Sequence, residues 1–221
     1  MKNVRNLLFD LDGTLVDSSR TISTCIDYAL HQVGTTAGRE VAISGLIGKP
    51  LLDIFREVFG MPRAQAESAI AHYREHYDRL EQAGSVVYDT MAEVLADLGS
   101  NGYRLFIATV KPTSVAEKVL TDLRLRSHFE GVAGASMGPE RRDKKRIIRH
   151  ALRKFDLDPR QSLMIGDRDQ DILGARANGL AAVAVTYGFG SKKELTAARP
   201  DHLVAHSSEL IPLLRNRFMA K

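Results

Sequence analysis

The sequence predicts an α/β fold: a parallel sheet core with helices on both faces, plus a small all-helical domain inserted near its start. Three observations carry that expectation. Apolar runs rich in strand formers alternate with amphipathic helical patterns through residues 84–221. One such run, "VRNLLF", stands apart at the beginning, followed by a segment in which no convincing strand appears. The three strongest strands, finally, end in polar residues of a particular kind: Asp10 with Asp12, then Thr109, then Asp167.

Taken in chain order, "VRNLLF" is the first strand. Residues 18–83 then show three helical patterns: Ile22, Ile26, Ala29, Leu30 and Val33; "PLLDIFREVF"; and Ile70, Tyr73, Tyr77 and Leu80. From residue 84 the alternation begins. "TMAEVLADL" opens with a Thr90–Glu93 capping box and "SVAEKVLTDL" with Ser114–Glu117. Strands are expected at "YRLFIATV" (103–110), "GVAGA" (131–135), "SLMIG" (162–166), "AAVAVTY" (181–187) and "HLVA" (202–205). "IIRHALRKF" repeats its apolar positions at helical spacing, and "DILGARANG" ends at Gly179, a good C-cap. The expected organisation is a Rossmann-like core from residues 1–17 and 84–221, interrupted by a helical insertion over 18–83.

Composition narrows the function classes. With 221 residues, 44% hydrophobic and 26% charged, the chain can bury a sizeable core. The formal net charge is only +4, and the single dense basic run is "RRDKKR" at 141–146. That run reads as the solvated start of a helix, so no nucleic-acid partner is expected. A mild positive excess suits a small anionic substrate. The one cysteine, Cys25, excludes an intramolecular disulfide and a Cys-based zinc cluster, and its spacing places it on an apolar helical face as a buried thiol. The apolar run before Asp10 is too short for a signal peptide, and no run approaches the length of a membrane span. A cytoplasmic protein with no membrane partner is the expectation.

In open parallel sheets ligands bind beyond the carboxyl ends of the strands, so the polar strand ends should meet in one crevice. Asp10 offers an oxygen nucleophile able to attack phosphorus and form an aspartyl-phosphate. Asp12 can protonate the leaving alcohol and then serve as base for the water that cleaves the intermediate. Thr109 can donate a hydrogen bond to a phosphate oxygen, and Gly13 permits close backbone approach. A lysine of "DKKRII" can pair with the phosphate charge. Lys144 shares the helical side of Ile147, Ile148 and Ala151, which favours it, with Lys145 the alternative. A phosphate dianion with ionised Asp10, Asp167 and Asp171 far outweighs one lysine. A single uncompensated pair at about 4 Å costs roughly 4 kcal/mol at an effective dielectric near 20. The imbalance calls for a hard divalent ion, Mg²⁺, which would also fix the phosphoryl group for in-line attack.

"DLDGTLVDS", Thr109 after a strand, a lysine before a helix and "GDRDQD" together resemble the four motifs of the haloacid dehalogenase-like superfamily. "MIGDRDQDILGARANGLAAVAVTYGFGS" is similar over a long stretch to its phosphoglycolate-phosphatase-like branch, whose helical cap follows the first strand. The resemblance implies that Asp10 is the nucleophile and Asp12 the acid/base. It implies Mg²⁺ bound by Asp10, the Asp12 backbone carbonyl and Asp167, with Asp171 near the metal, and phosphate held by Thr109 and Lys144. Asp143 stands where the branch often has His. The implied activity is a phosphomonoesterase acting on a small phosphorylated metabolite, phosphoglycolate-like, nucleotide or sugar phosphate. A sugar phosphomutase and a phosphoacceptor signalling domain are the alternatives. In the cap, Lys49 of "GLIGKPLLD", Arg56 and Tyr73 are generic candidates for specificity. His72 and His76, one helical turn apart, read as solvated helix residues.

Overall fold

The computed structural model describes residues 4–35, 43–80, 84–136 and 143–218. The chain divides into two units, Met1–Asp17 with Val87–Lys221, and Ser18–Val86. The cap boundary at residue 83 lies outside the described residues.

The larger unit begins with β1 (Asn6–Phe9) and β2 (Val16–Asp17). The smaller unit supplies α1 (Ser19–Gln32), α2 (Leu51–Asp53) and α3 (Arg63–Arg79). After β3 (Val86–Val87), which pairs with β2, come α4 (Met91–Ser100), β4 (Arg104–Pro112), α5 (Thr113–Asp122) and β5 (Gly131–Ala135). The chain then runs through α6 (Lys144–Lys154), β6 (Ser162–Gly166), α7 (Asp169–Arg176) and β7 (Ala181–Val185). It ends with α8 (Lys192–Ala198), β8 (His202–Val204) and α9 (Leu210–Arg217).

The main sheet has six strands in the order β5-β4-β1-β6-β7-β8, and every pairing is parallel. Its strands read as continuous apolar runs because both faces are covered. Leu7, Phe9, Leu105, Ile107, Leu163 and Ile165 face the layer of α4, α5 and α9. Leu8, Phe106, Ala108, Met164, Ala182 and Ala184 face α6, α7 and α8. From β1 the chain builds outward through β4 to β5, then crosses to β6 on the other side. That reversal places the topological switch point beside β1, where open sheets of this kind bind ligands. Phe9 is level with Ile107 and Ile165, so Asp10 emerges between the ends of β4 and β6.

In the smaller unit, α1 buries Ile22, Cys25, Ile26, Ala29 and Leu30 and packs against α3. On α3 the buried face is Ala66, Ala69, Tyr73 and Tyr77, with Ile70 and Leu80 only half-buried. The middle pattern is an α-helical turn that widens into a π-helical one over Ile54–Val58 and buries Ile54 and Phe55.

Two sequence expectations need correcting. Thr90 does not cap α4: its backbone is left-handed, and its hydroxyl lies 2.7 Å from that of Ser207 instead of meeting the helix N–H groups. Ser114 is the second residue of α5, which begins at Thr113 after Pro112, so the Ser114–Glu117 box is not formed. In both cases a serine or threonine three residues before a glutamate mimics a cap that neighbouring geometry overrides. Among the described part of the basic run, Asp143, Lys145 and Arg146 are exposed but Lys144 is buried. Arg141 and Arg142 lie outside the described residues. No described helix is long and apolar enough to cross a membrane.

Candidate active site

Asp10 is the residue after β1, held by its backbone N–H to the Ile165 carbonyl at 2.9 Å and only 2% exposed. The chain then turns tightly. Gly13 N–H reaches the Val16 carbonyl at 2.8 Å, and Leu15 N–H reaches the Leu11 carbonyl at 2.9 Å. Gly13 has φ of +86°, a region side chains resist, and a Cβ there would lie 2.2 Å from Asp167 Oδ2. The turn therefore needs glycine twice over, for its conformation and for its closeness to the next acid.

Asp167 follows β6 and is fully buried. Thr14 Oγ1 donates to its Oδ1 at 3.3 Å, and the Phe189 N–H donates to its Oδ2 at 2.8 Å. The Phe189 loop can approach because Gly188 has no side chain: a Cβ there would lie 2.2 Å from the Gly13 carbonyl oxygen and 2.4 Å from Asp167 Cβ. Tyr187 closes the same corner by donating its hydroxyl to the Thr14 carbonyl at 2.9 Å. Asp171, in the first turn of α7, accepts from the Arg168 N–H at 3.0 Å. Arg168 is itself anchored by Glu194 at 2.8 Å.

Oxygens of Asp10, Asp167 and Asp171 lie within 4.8 Å of one another, the one such acidic cluster among the described residues. Lys144 enters from the start of α6, its Nζ 2.8 Å from Asp10 Oδ1 and 2.7 Å from Asp171 Oδ1, and it donates to the Ala108 carbonyl at 2.9 Å. Asp143 explains this placement. Its carboxylate caps α6 by accepting the Arg146 N–H at 2.9 Å, so the helix starts where Lys144 faces inward, while Lys145 is exposed.

The electrostatics follow from three carboxylates and one ammonium out of water. Burial, then the neighbouring Asp10 and Asp171, push the Asp167 carboxyl well above its ordinary range, against the Phe189 N–H and Lys144. Burial likewise raises Asp171, to about 6, although Lys144 opposes it. Burial works against the charge on Lys144, but Asp10 and Asp171 outweigh it and hold the ammonium above its usual range. Asp10 Oδ1 and Asp171 Oδ1 both meet the single Lys144 ammonium at ion-pair distance, so three buried carboxylates share one cation. A donor set that is all carboxylate and over-negative fits a hard divalent cation.

Thr109 lies in β4 at 1% exposure, and its Oγ1 accepts the Lys111 N–H at 3.2 Å. Asp12 turns toward the same strand, its Oδ2 2.9 Å from Lys111 Nζ. Asp10, Asp12, Gly13, Thr109, Lys144, Asp167 and Asp171 thus all belong to the larger unit, around the ends of β1, β4 and β6. Lys49 belongs to the other unit, exposed, its N–H bonded to the Leu46 carbonyl at 3.1 Å. Arg56 is exposed there, and Tyr73 is buried against Tyr77. His72 is paired with Glu75, and His76 stacks on Tyr28 at 4.2 Å between ring centroids.

Sequence reasoning missed Lys111, Thr14 and the Gly188–Phe189 clamp. For Lys111 a signal exists: residues two apart on a strand share a side, so a buried Thr109 brings Lys111 with it. Thr14 and the clamp act through backbone groups and small side chains, which leave no charge pattern to read.

The chain matches the family model described as haloacid dehalogenase-like hydrolase over residues 7–185. It is 36% identical over 211 residues to a 5'-nucleotidase of Pseudomonas aeruginosa, covering 96% of each chain. A phosphoglycolate phosphatase of Yersinia pseudotuberculosis is 30% identical over 218 residues, covering 96% of this chain and 94% of that one. The crystal structure of a predicted phosphatase from Clostridium acetobutylicum superposes with a TM-score of 0.91 at 32% identity, covering 97% of this chain and 99% of that one. A strand-end acidic cluster at the switch point of a parallel sheet and these likenesses agree, and the chain belongs to the haloacid dehalogenase-like hydrolase family.

Proposed function

We propose that the protein is a Mg²⁺-dependent phosphomonoesterase that hydrolyses a small phosphorylated metabolite through an aspartyl-phosphate on Asp10. The observation that carries this reading is the buried Asp10–Asp167–Asp171 cluster with one ammonium, Lys144, against it. Mg²⁺ held by Asp10, the Asp12 backbone carbonyl and Asp167, with Asp171 beside them, would supply Lewis-acid neutralisation of the phosphoryl charge.

The chain's own groups carry the rest. An Asp10 oxygen attacks phosphorus, the P–O bond to the alcohol breaks, and Asp12 gives that oxygen its proton. Water then attacks the phosphorus of the aspartyl-phosphate and passes a proton to Asp12. The bond to Asp10 breaks, releasing inorganic phosphate and restoring both carboxyl groups. The Thr109 hydroxyl, whose oxygen accepts from Lys111, keeps its hydrogen for a phosphate oxygen. Lys144 sits where it can pair with the transferred group while fixing Asp10.

The relatives named 5'-nucleotidase and phosphoglycolate phosphatase support phosphate monoesters as the substrate class: phosphoglycolate-like compounds, nucleotides or sugar phosphates. The test is phosphate release from a panel of such esters, with Mg²⁺ and with chelator. Metal-dependent release supports the reading. Isomerised sugar phosphate without net release would replace it with a phosphomutase. A stable phosphoprotein without turnover would replace it with a phosphoacceptor domain.

A further inference from the structure

The steps above leave one enclosed ammonium without a role. Lys111 lies near the end of β4, and its Nζ meets both oxygens of Asp12, at 2.9 Å to Oδ2 and 3.1 Å to Oδ1. The two side chains are only 8% and 12% exposed. Exposed ion pairs contribute little, but enclosure removes solvent screening and makes separation of such a pair costly. The β4–β5 register shifts between Ala108 and Pro112, so the strand leaves its regular pairing where Thr109 and Lys111 stand.

We infer that Lys111 is a positioning residue for Asp12, setting the plane of its carboxylate for proton transfer; this rests on the phosphatase reading above. A carboxylate on a turn can rotate about its last bond, and an acid that must place its proton on one ester oxygen cannot be left to do so. A two-oxygen contact with one ammonium removes that freedom. The same residue's backbone N–H holds Thr109 Oγ1 at 3.2 Å. One residue of β4 thereby orients the proton donor through its side chain and a hydrogen-bond donor to the phosphate, Thr109, through its backbone. Lys144 cannot substitute, being committed to Asp10 and Asp171.

The expected signature is a dependence on the leaving group. Alkoxide needs a proton to depart; p-nitrophenolate does not. kcat/KM covers only the steps through departure of the alcohol, so it isolates Asp12's action as acid. Lys111→Met should lower kcat/KM for an alkyl phosphate by on the order of 10- to 100-fold more than for p-nitrophenyl phosphate. Lys111→Arg, which keeps the cation, should recover most of that difference. Thermal melts of both variants establish that they fold. Equal losses with the two esters, or no loss with either, overturn the inference and make Lys111 a phosphate contact or a structural residue. Wild-type protein that releases phosphate from neither ester overturns the phosphatase reading, and the role of Lys111 with it.

Discussion

The two units handle polar residues in opposite ways. In the larger unit the acids and amines around the ends of the central strands are buried and held from several sides: Asp167 by Thr14 and the Phe189 N–H, Lys144 by two carboxylates and a carbonyl. In Ser18–Val86 the described interior is mainly aliphatic and aromatic, its buried polar residues Ser18, Thr21 and Ser85 are uncharged, and the cations Lys49 and Arg56 are exposed. Burying like charges together costs stability, and a fold retains such an arrangement where chemistry needs it. Exposed cations carry no such cost and can change without harm to the fold. The contrast teaches that the buried charged constellation belongs to the larger unit and that the smaller one contributes no comparable constellation among its described residues.

Substitutions can break or sharpen that contrast. The largest effect is expected at Asp10. Asp10→Asn preserves shape but removes the proposed nucleophile and should lower phosphate release by roughly 10⁴-fold or more, measured with any ester the wild type accepts. Residual activity close to wild type would mean that another group attacks phosphorus.

Metal stabilisation should come next. Saturating Mg²⁺ at a hundredfold excess over its dissociation constant adds about 2.7 kcal/mol, or roughly 5–10 °C in Tm for a chain of this size. That shift should depend on pH in a definite direction. Burial raises Asp167 well above its ordinary range and Asp171 to about 6. A carboxyl raised on folding contributes stability below its unfolded value, and that contribution is lost as pH rises through the folded value. The metal-free protein should therefore lose stability from Asp171 as pH rises through about 6, with Asp167 acting in the same direction. The Mg²⁺-induced rise in Tm should grow as pH rises through about 6, and a rise that shrinks with pH would contradict the site. Asp167→Asn should abolish most of it.

Gly188→Ala should act more mildly, because it disturbs the holder of Asp167 and leaves the carboxylate in place. The added Cβ meets a backbone oxygen at 2.2 Å, and overpacking of this kind costs about 1–3 kcal/mol. Tm should fall accordingly, and the Mg²⁺-induced shift should shrink with it. The smallest effect is expected at Lys49→Ala: a few-fold change in KM for the preferred ester, with the Mg²⁺-induced shift unaltered. A collapse of turnover there would end the contrast between the units.

Much of this was legible in the sequence, for identifiable reasons. Strands such as "SLMIG" show themselves because burial on both faces demands an unbroken apolar run. Asp10, Asp12 and Asp167 show themselves because acids that end apolar runs have no packing reason to be there. Lys144 could be separated from Lys145 by helical spacing, and the physical cause, the Asp143 cap that fixes where α6 begins, was present in the sequence but not used. The caps at Thr90 and Ser114 misled because their pattern is local, while Thr90 is drawn to Ser207 and Pro112 sets the start of α5. Lys111 stayed hidden because a lysine at a strand end looks like an ordinary solvated terminus until Asp12 is seen to turn toward it.

Under the proposed mechanism Asp10 carries the phosphoryl group between substrate and water, and Asp12 frees it. In Asp12→Asn, p-nitrophenyl phosphate can still lose its leaving group, but the intermediate lacks its base. Acid quench followed by peptide mass analysis should find a phosphoryl group accumulated on Asp10. Turnover of the aryl ester with no phosphoryl group on Asp10 would contradict the account.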